Sequence, residues 1–416
     1  MKETQSTRQF LKDPYFLLTS GLLFFTPLAL SKATNELFEF PKMIFLYLFG
    51  GFLIVFFLTD RAFSKDKVKK WSLPVLFFVL ANALSTTFST HRYTSVFGYY
   101  SRFNDGLISI LFFFVLYLIF KNILSKDIFE KLLKIILFTI IPVSILGLYQ
   151  HFNGVERVYS TFGQPNWLAQ YFCMLLPLCI FKCLKESFRI WFPIYLVGFS
   201  CFWFSYSVSG VLGFIISTTF LFIFMNREGI FEKRVVLKSL ILFFFTLILI
   251  SSNLGIFKEK VQDAIYDIGQ RTSLLRKVYA TEDGYKISDP GFIRLELWKS
   301  TLDLIFSSPK VFLIGTGPET FPYEFQSFRN LKLNYSSEWD FVFNKPHNYF
   351  LEVWSELGSL GLVSFLVLLI HIFRKIPYFL KSSIIGLLVT SFFGWPIIST
   401  SLLFWFLVSY AEVFDD

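Results

Sequence analysis

The chain is poor in charge and in cysteine. Only 17% of its 416 residues are Asp, Glu, Lys or Arg, whereas 54% are apolar and 58 are Phe. A single soluble core of this size cannot bury that much apolar surface, so an ordinary soluble protein is excluded and a polytopic membrane protein remains. The four cysteines, Cys173, Cys179, Cys183 and Cys201, lack the paired CxxC spacing suited to zinc or redox chemistry. All fall within or beside apolar stretches, where unpaired thiols are buried and inert. The long polar stretch 253–347 contains no cysteine, so it holds no disulfide whatever its redox compartment. That stretch also lacks a cluster of aspartates of the kind a cation site needs. No fixed-period repeat, low-complexity linker or pair of similar halves is visible, which argues against a transporter built from two related halves.

What is present is a series of apolar runs. Crossing the hydrocarbon takes roughly 20 apolar residues as a helix, which satisfies every backbone group internally. Twelve runs qualify as candidates, at about 15–30, 41–59, 73–89, 107–120, 132–150, 166–182, 190–206, 210–225, 237–252, 348–372, 379–394 and 397–412. The last two are also compatible with one re-entrant hairpin. The expected organisation is nine spans in residues 1–252, an inserted loop domain in 253–347, and three spans in 348–416. The first apolar stretch lacks a small-residue cleavage site and is followed by Lys32, Glu36 and Glu39, so it reads as a retained span.

The basic residues sort by loop. With the N-terminus inside, alternate loops hold Lys2, Arg8 and Lys12, then clusters at 61–70, 121–134, 182–189, 227–238 and 374–381. The opposite loops carry only Lys32, Lys42, Arg92, Arg102 and Arg157. Cytoplasmic loops attract Lys and Arg, so both termini are expected in the cytoplasm and the 253–347 domain outside. That domain contains 12 basic and 12 acidic residues, so the net charge of +9 belongs to the topological signal and to anionic inner-leaflet lipid. It does not imply nucleic acid.

Within 253–347, apolar residues at Val261, Ile265, Ile268, Leu274, Leu275 and Val278 predict an amphipathic helix near the membrane surface over 258–280. A turn-rich passage follows, through Asp289-Pro290-Gly291. A second helix is expected over 294–306, with Arg294 and Trp298 on one face. Gly315-Thr-Gly317 predicts a turn, and glycines there would let backbone N–H groups approach a ligand closely. The domain ends in Asn344-Lys-Pro-His347-Asn348-Tyr-Phe-Leu-Glu352-Val-Trp-Ser-Glu356-Leu-Gly358-Ser-Leu-Gly361. This places a titratable imidazole where water meets lipid, at a helix N-terminus that disfavours imidazolium and keeps the ring a proton acceptor. Glu352 and Glu356 lie one and two turns into the helix, where an unpaired carboxylate is costly, so they need partners or water. Asn166, after Pro165 at the mouth of a span, reads as a helix cap or a ligand contact. His91, His151 and His371 lie in no comparable passage.

Four passages carry a resemblance: Gly98-Tyr-Tyr-Ser-Arg102-Phe-Asn-Asp-Gly106; Thr161-Phe-Gly163-Gln-Pro165-Asn166-Trp-Leu-Ala169-Gln-Tyr171; Arg294-x3-Trp298 with its downstream Gly-x-Gly; and the Pro-His347-Asn348 passage. In this order, over about residues 90–370, the chain resembles the O-antigen ligase and polymerase superfamily of bacterial envelope glycosyltransferases. The resemblance implies an all-α polytopic fold with one large periplasmic loop domain, similar to the GT-C type lipid-sugar glycosyltransferases. It implies an enzyme of the inner membrane, working at its periplasmic face without metal or cofactor. Its donor would be an undecaprenyl-pyrophosphate-linked glycan. The acceptor would be the lipid A core in a ligase, another lipid-linked repeat in a polymerase, or a Ser or Thr in a protein oligosaccharyltransferase; the ligase is the reading taken. A lipid-linked glycan transporter is the alternative from another class.

The resemblance assigns His347 as catalytic base and Arg294 as pyrophosphate ligand, with Arg102, Asn166, Asn348 and Glu356 as further substrate contacts. An arginine fork suits phosphate in two places. One departure stands out. Many members open a span with Ser-Arg-Gly, whose arginine also contacts the pyrophosphate, but this chain reads Tyr206-Ser-Val-Ser209-Gly210. Either Arg102 or Arg271 supplies that charge, the site tolerates one fewer, or the donor differs.

Overall fold

The computed structural model describes residues 13–64, 68–230, 232–269, 290–336 and 338–413. Arg271 and residues 270–280 of the expected 258–280 helix lie outside them, while its first half, 258–269, is helical as expected. Among the described residues the fold is wholly helical, with no strand. Six helical stretches are long and apolar enough to cross a membrane: Glu39–Phe63, Lys126–Phe152, Pro165–Lys185, Val208–Arg227, Lys233–Ser252 and Tyr349–Lys375. Six shorter apolar helical stretches accompany them. Each of the twelve apolar runs coincides with one of these twelve, which makes the chain a multi-pass helical membrane protein.

In chain order the helices are α1 (Pro14–Phe25), α2 (Glu39–Ser64), α3 (Leu73–Thr87), α4 (Arg92–Phe97), α5 (Leu107–Ile123), α6 (Lys126–Phe138), α7 (Ile140–Phe152), α8 (Pro165–Lys185), α9 (Phe188–Trp203) and α10 (Val208–Arg227). There follow α11 (Lys233–Ser252), α12 (Leu254–Gly269), α13 (Pro290–Ile305), α14 (Pro309–Ile314), α15 (Phe321–Glu324), α16 (Tyr349–Lys375), α17 (Tyr378–Ser391) and α18 (Ile398–Val413). Local chemistry sets their starts. Proline occupies the first turn of α1, α3, α8 and α14, where its missing N–H costs nothing. Ser125, Ser207 and Ser308 accept backbone N–H groups at the starts of α6, α10 and α14, as helix caps do.

The stretch expected at 132–150 is α6 followed directly by α7, with Thr139 at the junction. It begins earlier than its apolar run because α6 keeps its charged residues on one face. The two C-terminal runs form separate helices, α17 and α18, joined by 392–397. Helix α8 lies at the centre of the bundle, buried along nearly all of its length, and packs against α9, α10 and α17. Helix α11 stands at the periphery, with only Val235 and Leu242 buried.

The bundle has two chemically distinct ends. At one, lysines make the polar ties: Lys182 to Glu130 and Glu186, Lys134 to Glu186, and Lys121 to Glu412. The other end gathers the segments 88–106, 153–164, 204–207, 315–348 and 392–397. Lys42, expected in a loop, is buried in the first turn of α2. Its ammonium bonds the Thr161 carbonyl at 2.6 Å, while Glu39 accepts from the N–H of Ile398 at 2.9 Å. One turn of α2 thus fixes the start of α18 and the segment leading to Asn166.

Candidate active site

The six non-glycine residues with left-handed φ among the described residues are Phe103, Asp105, Ser160, Tyr206, Glu319 and His347. Each lies in or beside a segment at this same end of the bundle. Such conformations are costly for residues with a Cβ and persist where surrounding contacts over-determine them, often at functional sites.

Arg102 sits on the turn between α4 and α5, its backbone N–H bonded to the Tyr99 carbonyl at 3.0 Å. Its guanidinium lies over two indoles, 4.9 Å from the Trp167 ring and 5.9 Å from Trp395. Its Nε is buried and has no hydrogen-bond partner among the described residues. Trp395, from the link between α17 and α18, also meets the His347 ring edge-on at 5.1 Å. One indole therefore contacts both the Arg102 guanidinium and the imidazole.

Arg294 lies on α13, half-buried. Burial draws its pKa down, Glu338 acts in the opposite direction, and the positive charge of Arg157 draws it down further. His347 lies two residues before α16, also half-buried. Burial and then the charge of Arg294 lower its pKa from 6.5 to about 3. The ring is neutral, as expected, but burial is the principal cause.

Arg157 is the residue that the sequence reading missed as a site group, having been counted with the loop charges. Its Nη2 donates to Asn166 Oδ1 at 3.3 Å and its Nε to the Ser205 carbonyl at 3.2 Å. Ser207 Oγ donates to the same Asn166 oxygen at 2.8 Å, accepts the Gly210 N–H at 3.1 Å and lies 3.3 Å from Ser209 Oγ. Arg157 is thus held at the start of α10, where the Ser-Arg-Gly arginine is absent from the sequence. Asn166 orients it. The available signal was its position nine residues before Asn166, just ahead of the Thr161–Tyr171 passage.

Behind these half-buried groups lies a fully buried supporting layer. Asn348 caps α16 by accepting from Phe350 and Leu351 at 3.0 and 3.2 Å. The Glu356 carboxylate accepts the N–H groups of Glu319 and Phe321 at 2.8 and 3.2 Å. The amides of the Gly-x-Gly turn are likewise engaged internally: Thr316 donates to the Ser355 carbonyl at 3.0 Å and Gly317 to that of Glu356 at 2.9 Å. These amides hold the turn on α16 instead of being presented to a ligand. Gly358, at φ 67°, breaks the helical path of α16, and a Cβ there would lie 2.3 Å from the Leu313 carbonyl carbon. Backbone-to-backbone docking of α14 on α16 needs glycine at this position.

The other histidines lie elsewhere. His91 stacks on Tyr323 at 4.4 Å, His151 on Phe204 at 3.7 Å, and His371 pairs with Glu412 at the lysine-rich end.

Fold and site together define a multi-pass helical membrane protein with a basic, histidine-bearing cluster at one end of its bundle. Residues 193–366 match the family model described as O-Antigen ligase. That match covers less than half of the chain and makes this segment similar to the O-antigen ligase superfamily. The matched segment contains Arg294, His347 and Glu356, whereas Arg102, Arg157 and Asn166 precede it. No curated protein and no solved structure matches the chain.

Proposed function

We propose that this protein transfers a glycan from undecaprenyl pyrophosphate to a hydroxyl of the lipid A core, as a ligase in lipopolysaccharide assembly. The observation that carries the reading is the gathering of Arg102, Arg157, Arg294 and His347, all half-buried, at one end of the bundle: Trp395 touches Arg102 and His347, and the charge of Arg294 acts on His347 and that of Arg157 on Arg294. Twelve spans, cytoplasmic termini and a periplasmic pocket in the bacterial inner membrane complete the proposal, supported by the separation of the lysine-rich end from the pocket end.

In this reading Arg294, Arg157 and Arg102 hold the two phosphates and neutralise the charge that develops as the anomeric C–O bond breaks. His347 takes the proton of the acceptor hydroxyl, whose oxygen forms the new bond to the anomeric carbon. Undecaprenyl pyrophosphate leaves with the electron pair of the broken bond. Asn166 orients Arg157; Asn348 and Glu356 keep the His347 helix and the Gly-x-Gly turn in register. Arg271 is retained as a further pyrophosphate contact on the sequence argument alone. Activated donor, fixed cations and one base suffice, so no metal is required.

The test is transfer by purified protein from a lipid-linked donor, in excess chelator, beside His347→Ala. Loss of transfer with donor binding retained is expected. Transfer by His347→Ala would overturn the catalytic assignment, and a requirement for Mg²⁺ or Mn²⁺ would overturn the metal-free mechanism. In cells lacking the protein, long glycan accumulating on the carrier with bare lipid A core supports the ligase. Accumulated single repeats would mark a polymerase, and an underglycosylated protein an oligosaccharyltransferase.

A further inference from the structure

Lys345 is buried, with only 3% of its surface exposed, two residues from His347 on the far side of Pro346. Its ammonium lies 2.5 Å from Glu352 Oε1 and 3.7 Å from Asp105 Oδ2, and is bonded to Glu319. These carboxylates come from three separate segments: the turn that carries Arg102, the turn after Gly-x-Gly, and the first turn of α16. Their oxygens lie within 4.8 Å of one another, a spacing that a central cation holds and that mutual repulsion would open. Asp105, Glu319 and His347 are three of the left-handed residues, with φ of 55°, 60° and 55°. Pro346 fixes its own φ and stiffens the link from the ammonium to the base.

We propose that Lys345 is a positioning residue of this site: a tethered cation that sets the geometry of the Arg102 turn relative to the His347 loop. The inference rests on the glycosyltransferase reading above. Lys345 touches neither phosphate nor hydroxyl in this account. It acts by holding together two segments more than 200 residues apart in the chain, so its loss misplaces the base against the arginines while leaving Arg294 and Arg157 to bind donor.

The experiment compares Lys345→Met and the milder Asp105→Asn with wild type in two measurements. In steady-state transfer, Lys345→Met is expected to lose about 100-fold in kcat with donor KM changed less than about threefold, the scale expected for misplaced reacting groups. Methylammonium added to Lys345→Met should restore part of kcat by refilling the space between the carboxylates. In hydrogen exchange without substrate, segments 99–106 and 341–352 should lose protection together in Lys345→Met, whereas Asp105→Asn should loosen 99–106 alone. Unchanged kcat, a loss carried by KM, or loosening of only one segment in Lys345→Met would overturn the proposal. Should Lys345→Met fail to fold, Asp105→Asn decides: loosening of 99–106 with a fall in kcat at constant KM supports the clamp, and wild-type exchange or kcat refutes it. Absence of transfer by the wild type would instead refute the glycosyltransferase reading, and the exchange measurement would still decide the clamp.

Discussion

Arg157→Met gives the sharpest test of the proposed donor site. In the free protein the guanidinium makes two long hydrogen bonds to uncharged acceptors, Asn166 Oδ1 at 3.3 Å and the Ser205 carbonyl at 3.2 Å. Each is worth about 1 kcal/mol. Against them stand the burial that lowers the Arg157 pKa and its unfavourable interaction with Arg294. The substitution should therefore leave the stability of the free protein nearly unchanged. In the proposed reaction, donor binding would add the term that is missing, a doubly charged pyrophosphate between two like charges. Truncating one partner of a desolvated charge pair costs about 2–5 kcal/mol, and the half-exposed position of Arg157 argues for the lower part of that range. A loss of about 2–3 kcal/mol corresponds to about 30- to 150-fold.

The assay is kcat/KM for transfer in nanodiscs, with donor affinity measured separately and a thermal midpoint as the control for folding. Arg157→Lys keeps the charge and loses the fork, so its loss should be smaller, about tenfold. Because Arg157 and Arg294 would hold the same phosphates, the double substitution should cost less than the sum of the single ones. A value within about threefold of wild type for Arg157→Met, or a fall in the midpoint large enough to explain the loss, would remove Arg157 from the donor site.

Two further outcomes follow from the same geometry. Because burial and Arg294 hold the His347 pKa near 3, below its ordinary 6.5, the imidazole stays neutral across pH 5–8, and if it is the proposed base kcat/KM should show no acid limb at 6.5. The sign for stability is that of a depressed histidine: the contribution is complete above 6.5 and is lost as pH falls from 6.5 toward 3. A limb at 6.5 in kcat/KM would show that the ring is hydrated in solution. Gly358→Ala should lower stability by about 3 kcal/mol, combining a left-handed alanine with overpacking, since its Cβ would lie 2.3 Å from Leu313 C and 2.4 Å from Ile314 N. An unchanged melting midpoint would contradict the backbone docking of α14 on α16.

The helices were legible because apolar runs dictate them: a bilayer-crossing segment announces itself by composition over its whole length. His347, Arg294 and Arg102 were singled out by short passages, and the structure brings them to one end of the bundle. What the sequence hid is non-local. Arg157 looked like a loop charge because its partners Ser205 and Asn166 meet it only when 153–164 folds against the start of α10. Glu356 was assigned as a substrate contact because no local pattern reveals that the amides of 319 and 321 reach it. The Gly-x-Gly glycines signalled close approach correctly, but the partner approached is the backbone of α16.

Lys345 shows why such a site separates into two layers. In the proposed reaction a base and three arginines that meet a charged donor must stay partly accessible, and the half-buried positions of Arg102, Arg157, Arg294 and His347 meet that requirement. Accessible side chains on turns have little packing to fix them, and four of the segments here contain residues held in conformations that cost energy. The fixation must then come from beneath. Buried charges are expensive unless fully paired, and the protein supplies the pairing with side chains from separate segments: Lys345 to Asp105, Glu319 and Glu352, and Glu356 to the amides of 319 and 321. These contacts lie at the mouth of α16, where a carboxylate facing lipid would not be tolerated. Each buried pair therefore works in two ways, neutralising a charge the membrane would reject and holding a turn whose half-buried neighbour would face the proposed donor.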